Sequence, residues 1–251
     1  MRRPLRILIS SGPTREPIDA VRFLSNYSTG YLGRCLAAEA LARGHRVTMV
    51  SGPVSVRPPA GAHVVWVERA EQLRRELAHR LARADVLIMA AAVSDFRPTT
   101  VTSTKLARTG RRTLQLAATP DILGSLPRRS RQLTVGFALE SDRWLARARA
   151  KLRAKRLDVV VAQRLNGAGG PFGNRRVNAA LLDASGRTAS LGQLSKPRLA
   201  RTLLDEIEAR WYGTRPSGPR LYEPKGSERP IGPYGRRPRG RSDRASRDAR
   251  A

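Results

Sequence analysis

Cysteine is almost absent from this chain. With Cys35 alone among 251 residues, no intramolecular disulfide can form, and the composition fits a reducing, cytoplasmic compartment. Cys35 falls in a helical pattern beside Leu36 and Ala37, where it reads as a small core residue. No apolar run approaches the roughly 20 residues of a membrane span, so no membrane partner is expected. The opening MRRPLRILIS has too short an apolar stretch for a signal peptide and reads instead as a first strand. Acidic residues are scarce, with 20 Asp and Glu against 48 Lys and Arg and a formal charge of +28. The tail from Gly213 holds 11 Lys and Arg against 4 Asp and Glu, so most of the excess belongs to residues 1–212. Such charge attracts polyanions. Aromatic residues make up only 5% and are not interleaved with the basic ones, and no nucleic-acid module is recognisable. An arginine-rich surface on outer helix faces, as at Arg74, Arg75, Arg80 and Arg83, is the favoured reading.

What is present is a regular alternation of strand and helix signals. Leu5 to Ser10 reads as a buried strand, and Leu32 to Arg43 as a helix with a stripe of Leu32, Leu36, Ala40 and Leu41, stopped by Gly44. Val47 to Ser51 and Val64 to Val67 are the next strands. Leu73, Leu77 and Leu81 mark an amphipathic helix, and Val86 to Ala91 is a continuous apolar run suited to a strand covered on both faces. Repetition of strand, helix and strand predicts an α/β fold with a mostly parallel sheet and helices on both faces. Val101 to Thr113 reads as an exposed loop, and Thr119 to Asp121 as the cap of a short helix over Ile122 to Leu126. Leu133 to Leu139 and Val159 to Ala162 are predicted strands flanking a helix from Asp142 to Lys155. Val177 to Leu182 is an outlying strand followed by a turn at Gly186. Ser195 and Pro197 start a last helix with Leu199, Leu203, Ile207 and Trp211 on one stripe. From Gly213 to Ala251 the chain has almost no aliphatic residues, and a disordered basic tail is expected. The domain is thus placed at 1–212 and the tail at 213–251.

The first βα connection lacks the Gly-x-Gly-x-x-Gly of dinucleotide-binding folds. No acidic residue closes the second strand, which runs Val50, Ser51, Gly52, Pro53, so an NAD site is disfavoured. In its place stands SGPTREPIDAVRFLSNYSTGYLG, Ser11 to Gly33, at the carboxyl end of the first strand, where open α/β sheets bind ligands. Ser28, Thr29 and Gly30 precede a helix N-terminus, with Gly33 allowing close backbone approach. Free N–H groups and the positive helix end suit a phosphate there, although an ordinary Gly-rich turn explains the segment equally well. Asn26 offers an amide that both donates and accepts. In AAAVSDFRP, Ala90 to Pro98, small residues such as Ala91 and Ala92 admit a planar ring, and Asp95 suits hydroxyls or a metal. Lys105 stands in a loop where a cation can fold over a polyphosphate. Phe137, in VGFALES, lies beside a strand end, and Lys151 and Lys155 share one helical face. Taken singly, each has an ordinary structural explanation.

Together, in this order and spacing, the segments resemble phosphopantothenate–cysteine ligases (phosphopantothenoylcysteine synthetases), which in many bacteria form the carboxyl half of a bifunctional coenzyme A biosynthesis flavoprotein. The resemblance runs from about Leu5 to Trp211 through GPTREPIDAVRFLSNYSTG, VTMVSGPVS, AAAVSDFRP, Lys105, TPDIL, VGFALES, ARAKLRAKRLD and LLDEI. It implies a Rossmann-like homodimer that uses CTP (ATP being the less expected nucleotide) with Mg²⁺ to join 4′-phosphopantothenate to L-cysteine through an acyl-nucleotidylate. It also implies Asn26 as the residue handling the acyl intermediate and Lys105 as the loop lysine that helps form it. Asp95, Phe137, Lys151 and Lys155 correspond to nucleotide-binding positions, Ala91 and Ala92 to residues lining the same site, and the Ser28–Gly30 backbone is the candidate phosphate grip. No residue is singled out as a metal ligand. With the first strand at residue 5, no flavin-binding decarboxylase half is expected ahead of it, so a separate phosphopantothenoylcysteine decarboxylase is a candidate partner. The chain departs from the common bacterial pattern at Tyr31, Ala118, Gln163 and Arg108. Two alternatives stay open: a nucleotide-binding protein of the same fold without turnover, and a nucleic-acid-associated protein using the basic tail.

Overall fold

The structure, a computed structural model, describes residues 2–165 and 170–213. The tail expected to be disordered therefore lies, beyond Gly213, outside the described residues. The chain runs β1 (Arg6–Ser11), β2 (Arg15–Pro17), β3 (Phe23–Ser25), α1 (Tyr31–Ala42), β4 (Arg46–Ser51), β5 (His63–Trp66), α2 (Ala70–Leu81) and β6 (Val86–Met89). It continues with β7 (Phe96–Pro98), β8 (Leu116–Ala118), α3 (Ile122–Ser125), β9 (Leu133–Glu140), α4 (Trp144–Ala154), β10 (Val159–Arg164), β11 (Val177–Asp183), β12 (Thr188–Leu194) and α5 (Lys196–Tyr212).

Eight strands form one sheet in the order β12-β11-β10-β9-β6-β1-β4-β5. The six strands from β5 to β10 are parallel, and β11 and β12 close one edge antiparallel. In chain order the parallel strands lie 3-2-1-4-5-6, the arrangement of doubly wound Rossmann folds, whose order reverses between the first and fourth strands. Here that reversal lies between β1 and β6. The α/β expectation with helices on both faces holds. Ile7 and Ile9 of β1 point into a core with α1 and α5, through Leu36, Ala40, Leu203 and Ile207. Leu8 points the other way, into a core with α2 and α4, through Leu73, Leu77, Ala148 and Leu152. A period of two along a strand buried on both sides requires this division.

Three features were not anticipated. The opening loop contains a two-stranded hairpin, β2–β3, whose turn is held by the buried Asp19 accepting from the N–H groups of Val21 and Arg22 at 2.8 and 2.7 Å. A second small hairpin, β7–β8, brackets the 99–115 loop. The Gly186 turn leads into β12, an edge strand. There Asp183 accepts from Ser185 N and Arg187 N while Gly186 takes φ +92°.

At the amino ends of the strands, Asp85 accepts from Arg3, Arg6 and the Arg6 N–H, the last at 2.8 Å. Burial works against its carboxylate, but the Arg6 and Arg3 groups overcome this and hold its pKa at about 2, below the ordinary 3.8. Both arginines are about half exposed, so water screens their charge. Asp85→Asn is therefore expected to cost only about 1 kcal/mol at neutral pH. Because the folded-state pKa is depressed, the wild-type advantage is full above 3.8 and disappears as pH falls through about 2. Denaturant titrations of both proteins across that window check this.

Candidate active site

The loop after β1 and the loop after β6 leave the sheet on either side of the strand-order reversal and are stitched together. Ala92 N–H donates to Gly12 O at 2.9 Å, Thr14 N–H to Ala92 O at 3.3 Å, and Ser94 N–H to Thr14 Oγ1 at 2.9 Å. Beyond them a cavity of about 630 Å³ opens over the carboxyl ends of the strands. Asn26, Ser28, Thr29, Gly30, Ala91, Ala92, Asp95, Phe137, Lys151 and Lys155 all line it. Residues up to 129 apart in sequence thus meet because β1, β6 and β9 are neighbours and their following loops share one sheet edge.

Several of these residues are placed by definite contacts. Asn26, exposed at the rim, donates from Nδ2 to Ala92 O at 2.9 Å. Gly30 caps α1 at φ +79°, a left-handed conformation that favours glycine, and a Cβ there would meet Val54 Cγ1 at 2.3 Å. Ser28 Oγ and Thr29 Oγ1 accept from Gly30 N–H and Tyr31 N–H at 3.4 and 3.3 Å. These are long bonds that an anion can replace. Gly33 lets α1 rest on β1: a Cβ would fall 2.2 Å from Ser11 Oγ.

Lys151 of α4 and its C-cap residue Lys155 supply two lysines. Lys151 Nζ donates to Phe137 O at 2.6 Å, and burial pushes its pKa below 10.5, opposed by the Glu140 and Asp95 carboxylates. Lys155 Nζ pairs with Asp121 at 2.6 Å. Asp121 also caps α3 by accepting from Gly124 N–H at 3.1 Å. Partial burial raises the Asp121 pKa, but Lys155 and this N–H more than offset it and hold the carboxyl below its ordinary value. Asp95 is exposed at the rim without a side-chain partner among the described residues.

Lys105 is the exception. It is exposed and is not among the cavity's lining residues. The neighbouring Leu106 ties this loop to the β2–β3 hairpin, donating its N–H to Asp19 Oδ2 at 3.1 Å and accepting at its carbonyl from Arg22 at 2.9 Å. Conversely, the cavity includes residues not singled out as binding groups: Lys196, Gln163, Tyr27 and Phe172. Tyr27 and Phe172 meet as a tilted ring pair with centroids 5.8 Å apart. In the sequence Gln163 stands out only as a departure from the bacterial pattern. Lys196 at the start of a helix gives no sequence signal of burial.

Among the described residues no group of three or more His, Cys, Asp or Glu side chains could hold a metal ion. Mg²⁺ in nucleotide sites commonly takes one or two carboxylates together with substrate phosphates. The donor set fits a cation that arrives with a nucleotide, with Asp95 the unengaged carboxylate. No helix among the described residues is long and apolar enough to cross a membrane.

Comparison with known proteins shows the family and the fold. Residues 3–210 match the model of the DNA/pantothenate metabolism flavoprotein C-terminal domain. The chain is 39% identical over 206 residues to the coenzyme A biosynthesis bifunctional protein CoaBC of Bacillus subtilis (strain 168), covering 81% of this chain and 51% of that protein. It is 37% identical over 206 residues to a cysteine/cysteine sulfinic acid decarboxylase of an unknown prokaryotic organism, covering 80% of this chain and 57% of that protein. The chain thus spans about half the length of these relatives. The crystal structure of the C-terminal domain of a CoaBC protein superposes with a TM-score of 0.70 at 33% identity, covering 83% of this chain and 96% of that one.

Proposed function

This chain belongs to the DNA/pantothenate metabolism flavoprotein C-terminal domain family, and from that premise we propose that it is a phosphopantothenate–cysteine ligase of coenzyme A biosynthesis. The observation that carries the reading is the convergence of Asn26, Asp95, Phe137, Lys151 and Lys155 on one cavity at the strand-order reversal. A carboxylate is a poor acyl electrophile, so amide formation needs a leaving group on it. In the proposed reaction the carboxylate of 4′-phosphopantothenate attacks the α-phosphorus of CTP, and pyrophosphate departs with the electron pair of the broken P–O bond. The amine of L-cysteine then attacks the acyl carbon, CMP leaves, and the amine proton is lost to solvent.

The residues suit these steps. Lys151 and Lys155 place positive charge where triphosphate charge must be neutralised, and half-buried Phe137 offers a face to the base. The Ser28–Gly30 turn presents N–H groups at the start of α1 for phosphate oxygens. Asn26 is positioned to orient the acyl group, and Ala91 and Ala92 leave space for it beside the backbone. Mg²⁺ would supply further neutralisation of the triphosphate. The reading includes a cytoplasmic homodimer and a decarboxylase, on a separate chain or elsewhere in a longer one, to take the product.

With the carboxylate substrate, CTP and Mg²⁺ but no cysteine, pyrophosphate should appear in a burst of about one equivalent per site and then stop. No pyrophosphate with either CTP or ATP would sink the nucleotidylate reading. Lys105 is proposed to assist this first step by a movement of its loop off the Asp19 contact. Lys105→Gln is expected to slow the burst at unchanged nucleotide affinity. A wild-type burst would remove Lys105 from the machinery.

A further inference from the structure

The cavity bridges the two faces of the sheet, and its cationic groups differ between them. On the α4 side, Lys155 is paired with Asp121, and the carboxylates of Glu140 and Asp95 act on Lys151. On the α5 side stands Lys196, only 5% exposed. Its ammonium donates to the carbonyls of Pro171 and Gly173, each at 2.6 Å, and forms no ion pair with a carboxylate among the described residues. An ammonium carries three N–H groups, so one is left over. A buried cation held by carbonyl dipoles alone is costly unless an anion completes its surroundings. Burial accordingly draws its pKa down to about 8.

A second, independent observation lies at the end of β10. Gln163 lines the same cavity and is 7% exposed, and its Nε2 is buried with no hydrogen-bond partner among the described residues. An amide donor in that condition costs about 1–3 kcal/mol, and natural sites rarely leave one unmatched. Two donors lining one cavity, one charged, therefore lack the same thing: an anionic oxygen acceptor, which none of the described residues supplies.

We propose that Lys196 and Gln163 form a second anion subsite, distinct from the α4 lysines, that takes the phosphate ester of the carboxylate substrate. This rests on the ligase reading. Activation joins the substrate carboxylate to the nucleotide α-phosphate, so the carboxylate end must lie with the nucleotide near Lys151. The phosphate at the opposite end of the same substrate then falls away from the nucleotide, toward the α5 side. Because Lys196 also ties down the 171–173 loop whose Phe172 packs at a tilt against Tyr27, occupancy of the subsite would fix one wall of the cavity.

The test compares 4′-phosphopantothenate, unphosphorylated pantothenate, L-cysteine and CTP by calorimetry on the full chain and on Lys196→Gln, Lys196→Arg and Gln163→Leu. Lys196→Gln and Gln163→Leu should each weaken 4′-phosphopantothenate by about 10- to 100-fold and leave pantothenate and CTP unchanged. Lys196→Arg, which keeps the charge, should recover most of the loss. Unchanged 4′-phosphopantothenate affinity in both neutral variants overturns the subsite. So does a selective loss of cysteine, which would assign the donors to a carboxylate, or an equal loss of every ligand, which would make the role structural. A wild-type chain that binds no 4′-phosphopantothenate refutes the ligase reading itself, whereas one that binds it as tightly as the variants do refutes only the subsite.

Discussion

Replacing Asn26 by alanine is expected to lower the rate of amide formation by about 10²- to 10³-fold, the usual consequence of removing one positioned donor at a reacting centre. The side chain is fixed at one end only: Nδ2 holds Ala92 O at 2.9 Å. Its carboxamide oxygen has no partner among the described residues and is left for substrate. Alanine removes both the contact and the acceptor. Asn26→Asp keeps the shape but turns the donor into a carboxylate facing Ala92 O, and brings negative charge to a site built for anions. The aspartate variant should therefore be at least as impaired. Asn26 follows β3 and holds Ala92, whereas Lys151 and Lys155 follow β9, so CTP affinity should be nearly unchanged in both, and the defect should appear in kcat. Either variant turning over at the wild-type rate would remove Asn26 from the acyl-handling role.

Gly52→Ala is expected to be almost as damaging from a position that touches no ligand. A Cβ at Gly52 would stand 1.7 Å from Pro13 O and 2.9 Å from Pro13 C. Those are backbone atoms that cannot swing aside. Gly52 N–H is also bound to Ser11 O at 3.0 Å, so the two chains cannot simply separate. The turn at Pro13 must move, and it pairs with Ala92, the residue that holds Asn26. Overpacking of this kind costs about 1–3 kcal/mol, and a shift of about 1 Å at a reacting group costs about 10²-fold in rate. Denaturant unfolding should show the stability loss and the amide assay the rate loss. Wild-type values in both would mean that this close approach is not what sets the site. Gly52 also explains what the sequence lacks there: the position where NAD enzymes carry an acidic residue is occupied by a crossing of two backbones.

The parallel core was legible because its signals are local and strong. Val86 to Met89 is apolar at every position and buried at every position, and α5 carries both its Ser195 cap and its Gly213 stop. The small hairpins were not legible, since β2–β3 depends on Asp19 and Arg22 rather than on alternation. In β12 only Ala189 and Leu194 are buried, too few to show a period. Most of the site was legible through its motifs, yet the two donors of the proposed second anion subsite were not. Lys196 is engaged by the carbonyls of Pro171 and Gly173, which are distant in sequence, and Gln163 sits on β10 between β9 and β11, so neither placement has a local sequence signal. Lys105 shows the reverse: its motif marks it, while hydrogen bonds at Leu106 hold its loop on the hairpin.

The most direct measurement combines the chain with 4′-phosphopantothenate, L-cysteine, Mg²⁺ and CTP, and follows amide and nucleotide products together. The account expects phosphopantothenoylcysteine, CMP and pyrophosphate in equal amounts, with ATP the poorer nucleotide. Amide accompanied by CDP and orthophosphate would place the leaving group on an acyl phosphate and contradict the mechanism. Absence of amide with both CTP and ATP would contradict the ligase assignment.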